Sequence, residues 1–241
     1  MRHYTSEPVP NFLSLLGKSI TGFKIALLKE FFFDTASKEV QHAIEDAVDV
    51  FKNLGMLERK IVIPHLKYIG LVRMAHASEG VLGREGYLLS RPRDYSPDIL
   101  GLLIQALLQP SIYYAKGTRV RRLIAEEFEN ALHEEDTIVT PVIPIPAPKI
   151  SDCRKNVVTI DGRKVRVRDL RSSYGSLFVR LTSPFNLTGH PTVSLPCGFS
   201  SNNLPIGLQV TSAYYDEAKL LQIAGAYERA TNWHNKRMPI D

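Results

Sequence analysis

Residues 183–210 read SPFNLTGHPTVSLPCGFSSNNLPIGLQV, and the order of strands and turns in this stretch decides the fold. Thr192-Val193-Ser194-Leu195 is a short strand that enters Pro196-Cys197-Gly198. Ser200-Ser201-Asn202-Asn203 is a polar turn, and Ile206-Gly207-Leu208-Gln209-Val210 is the next strand. Beyond it, Asp216 stands at the cap of a helix whose Leu220, Ala224 and Tyr227 share one face.

Toward the amino terminus the clearest unit is β-α-β. Residues 23–28 (FKIALL) form a buried strand. A helix over 37–54 follows, with Ser37 as N-cap and Val40, Ala43, Ile44, Ala47, Val48 and Phe51 along one face. Gly55 closes it in a left-handed cap. Ile61-Val62-Ile63, stopped by Pro64, is expected as the second strand, parallel to the first with a right-handed crossover.

The middle of the chain reads as helical over 65–83, 98–108 and 111–133, with a loop over 86–97. Thr137-Ile138-Val139-Thr140 is a strand stopped by Pro141, Pro144, Pro146 and Pro148, which force extended backbone. Residues 152–171 form a hairpin-like excursion in which 157–160 and 165–167 flank the turn dipeptide Asp161-Gly162. Strands mixed with helices around one β-α-β unit imply an α/β class, a mixed-sheet α/β/α sandwich. Residues 1–19, with Pro8 and Pro10, read as a connecting segment, and residues 20–241 as a single domain.

The composition, 44% hydrophobic and 23% charged over 241 residues, is that of a globular domain with one substantial core. No apolar run approaches the roughly 20 residues that span a bilayer, and the first residues have no apolar segment of the secretory type. Cys153 and Cys197 are the only two cysteines, too few for a disulfide framework, so a cytoplasmic or organelle-interior location is expected. The net charge of +5 gathers at 116–122 (KGTRVRR) and 163–171 (RKVRVRDLR). No aromatic residue interleaves with either cluster and no nucleic-acid-binding signature accompanies them, so both read as solvated surface. The histidines show no metal-ligand spacing. The acidic residues Glu126, Glu127, Glu129, Glu134, Glu135 and Asp136 read as an exposed charged face, His190 as a loop histidine, and Cys197 as a packing residue.

The stretch 183–210 resembles the carboxy-terminal core of the amidase-signature hydrolases, where T-x-P-x-N-x-T/A-G-x-P-x-x-S-x-P-x-G-F is followed by L-P-x-G-L-Q and a helix E-x-x-L-L-x-x-A-x-x-Y-E. Here that helix runs from Glu217 through Leu220, Leu221 and Ala224 to Tyr227 and Glu228. The likeness extends back through Tyr114, Arg119, Phe128, Asp136, Pro141 and Pro146-Ala147-Pro148 to Gly22-Phe23-Lys24-Ile25-Ala26. It implies the carboxy-terminal part of the amidase-signature fold, and hydrolysis of amide carbon–nitrogen bonds by a Ser–cis-Ser–Lys triad without a cofactor.

In the family that triad lies amino-terminal to everything matched here, around a stretch of the type GGSSGGS, and residues 1–241 contain no such stretch. Ser172-Ser173 and Ser200-Ser201 lack the flanking glycines of an oxyanion nest and read as loop and turn residues. The domain over 20–241 is therefore expected to be an incomplete amidase, inactive alone, with no catalytic residue of its own. Its contribution would be the pocket wall. Thr140, Pro141, Pro184 and Asn186, at strand ends or on tight loops, are the candidates to face a small amide substrate. The alternatives are a non-catalytic partner subunit, or decayed copy, of the same fold, and a basic nucleic-acid-binding module supported by charge alone. An incomplete sheet predicts self-association or a partner chain. Family members range from carboxamide and fatty-amide hydrolases to glutaminyl-type transamidation enzymes, and no motif here selects among them.

Overall fold

The protein is described by a computed structural model covering residues 9–77, 81, 85–169 and 175–236. The β-α-β unit forms as its pattern dictates. Strand β1 (Lys24–Leu27) leads to helix α1 (Lys38–Asn53), whose buried residues are the six predicted, and the Ser37 side chain accepts from the Val40 N–H. Gly55 adopts φ +90, and a Cβ there would meet Thr21 at 2.9 Å, so both conformation and space call for glycine. Strand β2 (Leu57–Lys60) then pairs parallel to β1.

That strand lies earlier than the apolar run at 61–63. β2 is an edge strand exposed at all four residues, so it carries no apolar signal. Ile63 is buried beyond the strand, while Val62 is 63% exposed.

Helix α2 (Ile69–His76) and a helical turn α3 (Glu85–Ser90) precede α4 (Pro97–Leu107) and the long α5 (Ser111–Glu134). The expected loop at 86–97 is thus corrected: it opens in a helix, because Leu88 is buried against Val81, Leu103 and Ala106. Strand β3 (Thr137–Pro141) is wholly buried. Then come α6 (Ile150–Arg154), the ribbon β4 (Val157–Ile160) and β5 (Arg163–Arg166), and the short pair β6 (Arg168–Asp169) and β7 (Gly175–Ser176). Asp161 and Gly162 both take positive φ, the left-handed pair that a tight hairpin needs. The hairpin covers Ile145, Val158, Val167 and Leu177, a small cluster of its own.

Helix α7 (Ser183–Thr188), strands β8 (Thr192–Phe199) and β9 (Pro205–Thr211), and helix α8 (Glu217–Ala230) complete the chain. β8 runs straight through Pro196-Cys197-Gly198, with a register shift between Pro196 and Gly198 that absorbs the proline. Asp216 holds the cap position of α8, but its side chain bonds Lys219 at 2.8 Å and not the helix N–H groups.

The main sheet has the order β2-β1-β3-β9-β8, parallel across β2, β1 and β3 and antiparallel across β3, β9 and β8. Period-two alternation divides its side chains between two faces. Ile25, Leu27, Val139, Leu208 and Val210 pack with α1 and α8. Ala26, Leu28 and Ile138 pack with α2, α5 and α7. The result is the α/β/α sandwich expected from sequence.

Candidate functional site

Thr140 and Gln209 stand directly opposite each other in the antiparallel β3–β9 pair, and Ser194 of β8 is Gln209's partner on the other side. The three form a polar row across the face that packs on α2, α5 and α7. Gln209 is the hub. Its Nε2 donates to Thr140 Oγ1 (3.2 Å), to the Pro141 carbonyl (2.9 Å) and to the Leu181 carbonyl (3.2 Å). An amide nitrogen has only two hydrogens, so three acceptors share them. One buried side chain thereby ties the carboxyl end of β3 to the approach of α7. The row ends at Ser194, which is exposed on the edge strand.

The four residues singled out from sequence divide here. Thr140 and Pro141 are buried and held together by Gln209. Pro184 is buried within α7, its carbonyl accepting from the Thr188 hydroxyl at 2.9 Å. Asn186 is exposed, on the outer side of the same helix. Thr140 and Pro141 thus sit at a braced strand end and Pro184 within a helix, while Asn186 and Ser194 carry exposed polar groups. Gln209 went unselected, although its place between Leu208 and Val210 in an alternating strand marks a polar group on the second face.

A second polar cluster lies beside α7. His190 is 5% exposed. Its Nε2 is 2.9 Å from Glu129 Oε1, its Nδ1 is 2.8 Å from Thr188 Oγ1, and its ring stacks on Tyr214 at 4.3 Å. The Tyr214 hydroxyl donates to the Thr188 carbonyl at 2.6 Å. A neutral ring with the proton on Nε2 donates to Glu129, and its Nδ1 shares the single Thr188 hydroxyl hydrogen with the Pro184 carbonyl. Burial pushes the His190 pKa down, against the opposing charge and hydrogen bond of Glu129.

The loop histidine is therefore a core histidine, and the acidic run of α5 is not a solvated face. Besides Glu129, Glu127 binds His65 through the ring and the backbone N–H. Glu135 is buried, which pushes its carboxyl pKa up, and Asp136 accepts from the Lys24 N–H at 2.8 Å. Alternating charges in sequence concealed which faces of α5 meet neighbours.

The remaining serine and cysteine readings stand differently. Ser200 sits in the turn, accepting from the Leu204 N–H at 3.1 Å, and Ser201 binds Glu39. Ser172 and Ser173 lie outside the described residues. Cys197 is buried and its thiol is pushed up to about 12, mainly by burial, which keeps it a protonated packing group. Among the described residues no group of three or more His, Cys, Asp or Glu could hold a metal ion, and no helix is long and apolar enough to cross a membrane.

On the far side of α2 lies an apolar cleft of about 820 Å³ between α2, α4 and α5. Leu71, Ile104, Leu108 and Tyr113 line it and are each at least 47% exposed. Sequence reasoning missed this cleft, because each helix alone shows an ordinary amphipathic pattern.

A glutamyl-tRNA(Gln) amidotransferase subunit of Thermodesulfovibrio yellowstonii is 33% identical over 97% of this chain and 50% of its own length. The same subunit of Clostridium botulinum is 34% identical over 94% of this chain and 48% of its own. The chain thus spans about half the length of the curated relatives it matches. Among solved structures, the corresponding glutamyl-tRNA(Gln) amidotransferase subunit of Thermotoga maritima superposes with a TM-score of 0.65 and 28% identity, covering 89% of this chain and 44% of that one. A bacterial aryl acylamidase of the amidase-signature enzymes superposes at 0.78 with 18% identity over 94% and 47%, a likeness of fold alone. The family model Amidase matches residues 1–221, and the chain belongs to the amidase family.

Proposed function

We propose that this chain is the carboxy-terminal, pocket-wall part of an enzyme that cleaves amide carbon–nitrogen bonds. On this reading the Ser–cis-Ser–Lys machinery belongs to the half of the relatives that the chain does not match. The observation that carries it is the match itself: nearly the whole chain aligns, yet with only about half of each relative. The fold agrees with such a role. β8 is an edge strand, and the polar row Thr140–Gln209–Ser194 runs toward it. A strand edge with free N–H and C=O groups is a place for further strands to add.

The chemistry then divides between halves. This half fixes the carboxyl ends of its strands through Gln209 and offers Ser194 and Asn186 at the boundary. The other half supplies nucleophile, proton relay and oxyanion donors. The substrate is a small amide. A finer reading, part of a tRNA-dependent amidotransferase, is supported by the names of relatives at 33 and 34% identity.

Expression alone and together with the amino-terminal half of the T. yellowstonii relative tests the proposal. We expect no hydrolysis of small amides by the chain alone, and turnover on co-expression. Turnover by the chain alone that vanishes on Ser172→Ala or Ser200→Ala would overturn it. A stable complex without turnover would favour the second reading, a non-catalytic partner of the same fold.

A further inference from the structure

The cleft between α2, α4 and α5, at about 820 Å³, falls within the size range of small-molecule sites, about 300–1,000 Å³. Three helices wall it. Leu71, Ile104, Leu108 and Tyr113 give it an apolar lining that is open to solvent. It shares no residue with the Thr140–Gln209–Ser194 row, nor does it include Asn186.

The charge in this cleft has one sign. Arg73 of α2 and Lys116 of α5 line it, and among the described residues no carboxylate does. The two cations flank the crossing of their helices. Gly117 packs so closely on Ala75 that a Cβ at Gly117 would lie 2.4 Å from the Ala75 Cβ. Lys116 adjoins the first of these residues, and Arg73 precedes the second by two positions. The Lys116 side chain is exposed, and among the described residues it has no ion-pair partner. The apolar walls offer affinity without direction, whereas cations gathered at one helix crossing select the sign of a ligand and orient it.

We propose that this cleft binds a small monocarboxylate with an apolar body, its carboxylate at Lys116 and Arg73 and its body over Leu71, Ile104, Leu108 and Tyr113. A carboxylate gains a charge-assisted hydrogen bond from the Lys116 ammonium that a neutral alcohol of the same shape does not. A dianionic head such as a phosphate monoester would bring more charge to desolvate against the same apolar walls. The site stands independently of the amide reading.

The probe is 4-phenylbutanoate at neutral pH, with 4-phenylbutan-1-ol as the uncharged control. Each is titrated by calorimetry into the unsubstituted chain, and by NMR into the chain labelled at its leucine and isoleucine methyl groups. We expect saturable binding of the acid, with shifts at the Leu71, Ile104 and Leu108 methyl resonances, and binding of the alcohol about threefold to fivefold weaker. Lys116→Gln, at an exposed position, should weaken the acid about threefold and leave the alcohol unchanged. Leu108 is 78% exposed, so Leu108→Gln should leave the fold intact and weaken both ligands alike. No saturable binding of the acid, equal affinities for acid and alcohol, methyl shifts that miss the cleft, or an acid affinity unchanged in folded Lys116→Gln would each overturn the proposal. A dimer in sedimentation velocity whose cleft methyl groups ignore the acid would also overturn it, and would assign the cleft to a second copy of the chain.

Discussion

The two faces of the sheet are built on different principles. Under α1 and α8 the core is continuous and almost purely apolar, with Phe51 and Tyr227 in contact at 4.9 Å and Ile25, Ile44, Val139 and Leu208 all but sealed from solvent. Under α2, α5 and α7 the apolar cluster shares the face with Thr140, Gln209, Thr211 and the His190–Glu129 network. Beyond α2 that side opens into the apolar cleft. One face stores stability by area, while the other spends buried polar groups on fixing where strand ends and helices lie. Hydrophobic burial is non-directional, whereas a buried hydrogen-bond network tolerates one geometry. The face that positions loops is therefore the one that carries polar bonds.

The contrast breaks most directly at Phe51, which is fully buried in the first face. Phe51→Ala should cost about 3–5 kcal/mol. At about 2–4 °C per kcal/mol for a chain of this size, the thermal midpoint should fall by roughly 10 °C. A drop of only a degree or two would mean that this face relaxes around cavities and is less tightly packed than its burial implies.

On the other face the tightest test is the crossing of α2 and α5. A Cβ at Gly117 would lie 2.4 Å from the Ala75 Cβ, so the two helices touch because one residue is glycine. Gly117→Ala should destabilise by about 1–3 kcal/mol through overpacking. Ala75→Gly in the same chain should restore most of that loss, less about 1 kcal/mol for a glycine within a helix. Urea midpoints for the two single variants and the double variant close the cycle. Failure of the double variant to recover would show that the helices do not meet at this pair.

The polar network gives the second face a pH dependence in the acid range, whereas the buried Cys197 and Tyr227 of the first face respond only at alkaline pH. The folded-state pKa of His190 is lowered, so between that value and the unfolded value of about 6.5 the unfolded chain holds more protons. Stability must then fall as pH drops through and below about 6.5. His190→Gln should flatten the difference in urea midpoint between pH 7.5 and 5.5, at a cost of about 1–2 kcal/mol at the higher pH. A pH dependence unchanged in His190→Gln would place its origin elsewhere.

What could be read in advance follows the same division. The first face was legible because its signals are local: the Ser37 cap, the six-residue apolar face of α1, the positive-φ Gly55 and the alternation of β9 are each contained within one element. β2 escaped because an edge strand exposed at every residue has no periodic signal to give. The second face was legible only in outline. Thr140 and Pro141 drew notice as strand-end residues, but Gln209, which holds both, is 69 and 68 positions away in sequence. Glu129 and His190 are 61 positions apart, and nothing local distinguishes Glu129 from the solvated Glu126. Long-range polar partnerships leave no periodic trace, and the strand-end site consists of them.

The cleft beyond α2 should respond least in stability and most in behaviour. Leu71 and Leu108 are 58% and 78% exposed, so Leu71→Glu with Leu108→Glu removes little buried area and should change stability by no more than about 0.5 kcal/mol. Exposed apolar surface of this kind promotes association, and two carboxylates on the rim oppose it. Sedimentation velocity should show less self-association in the double variant at an unchanged thermal midpoint. The edge strand β8 is the other route to association, because its outer backbone groups are open to pairing. Val193 is the second residue of that strand and is partly exposed, so Val193→Lys should reduce association that runs through strand pairing while leaving the cleft untouched. If only Val193→Lys disperses the protein, the open sheet edge and not the helical cleft is the sticky surface. If only the glutamates do, β8 is already protected by its neighbours.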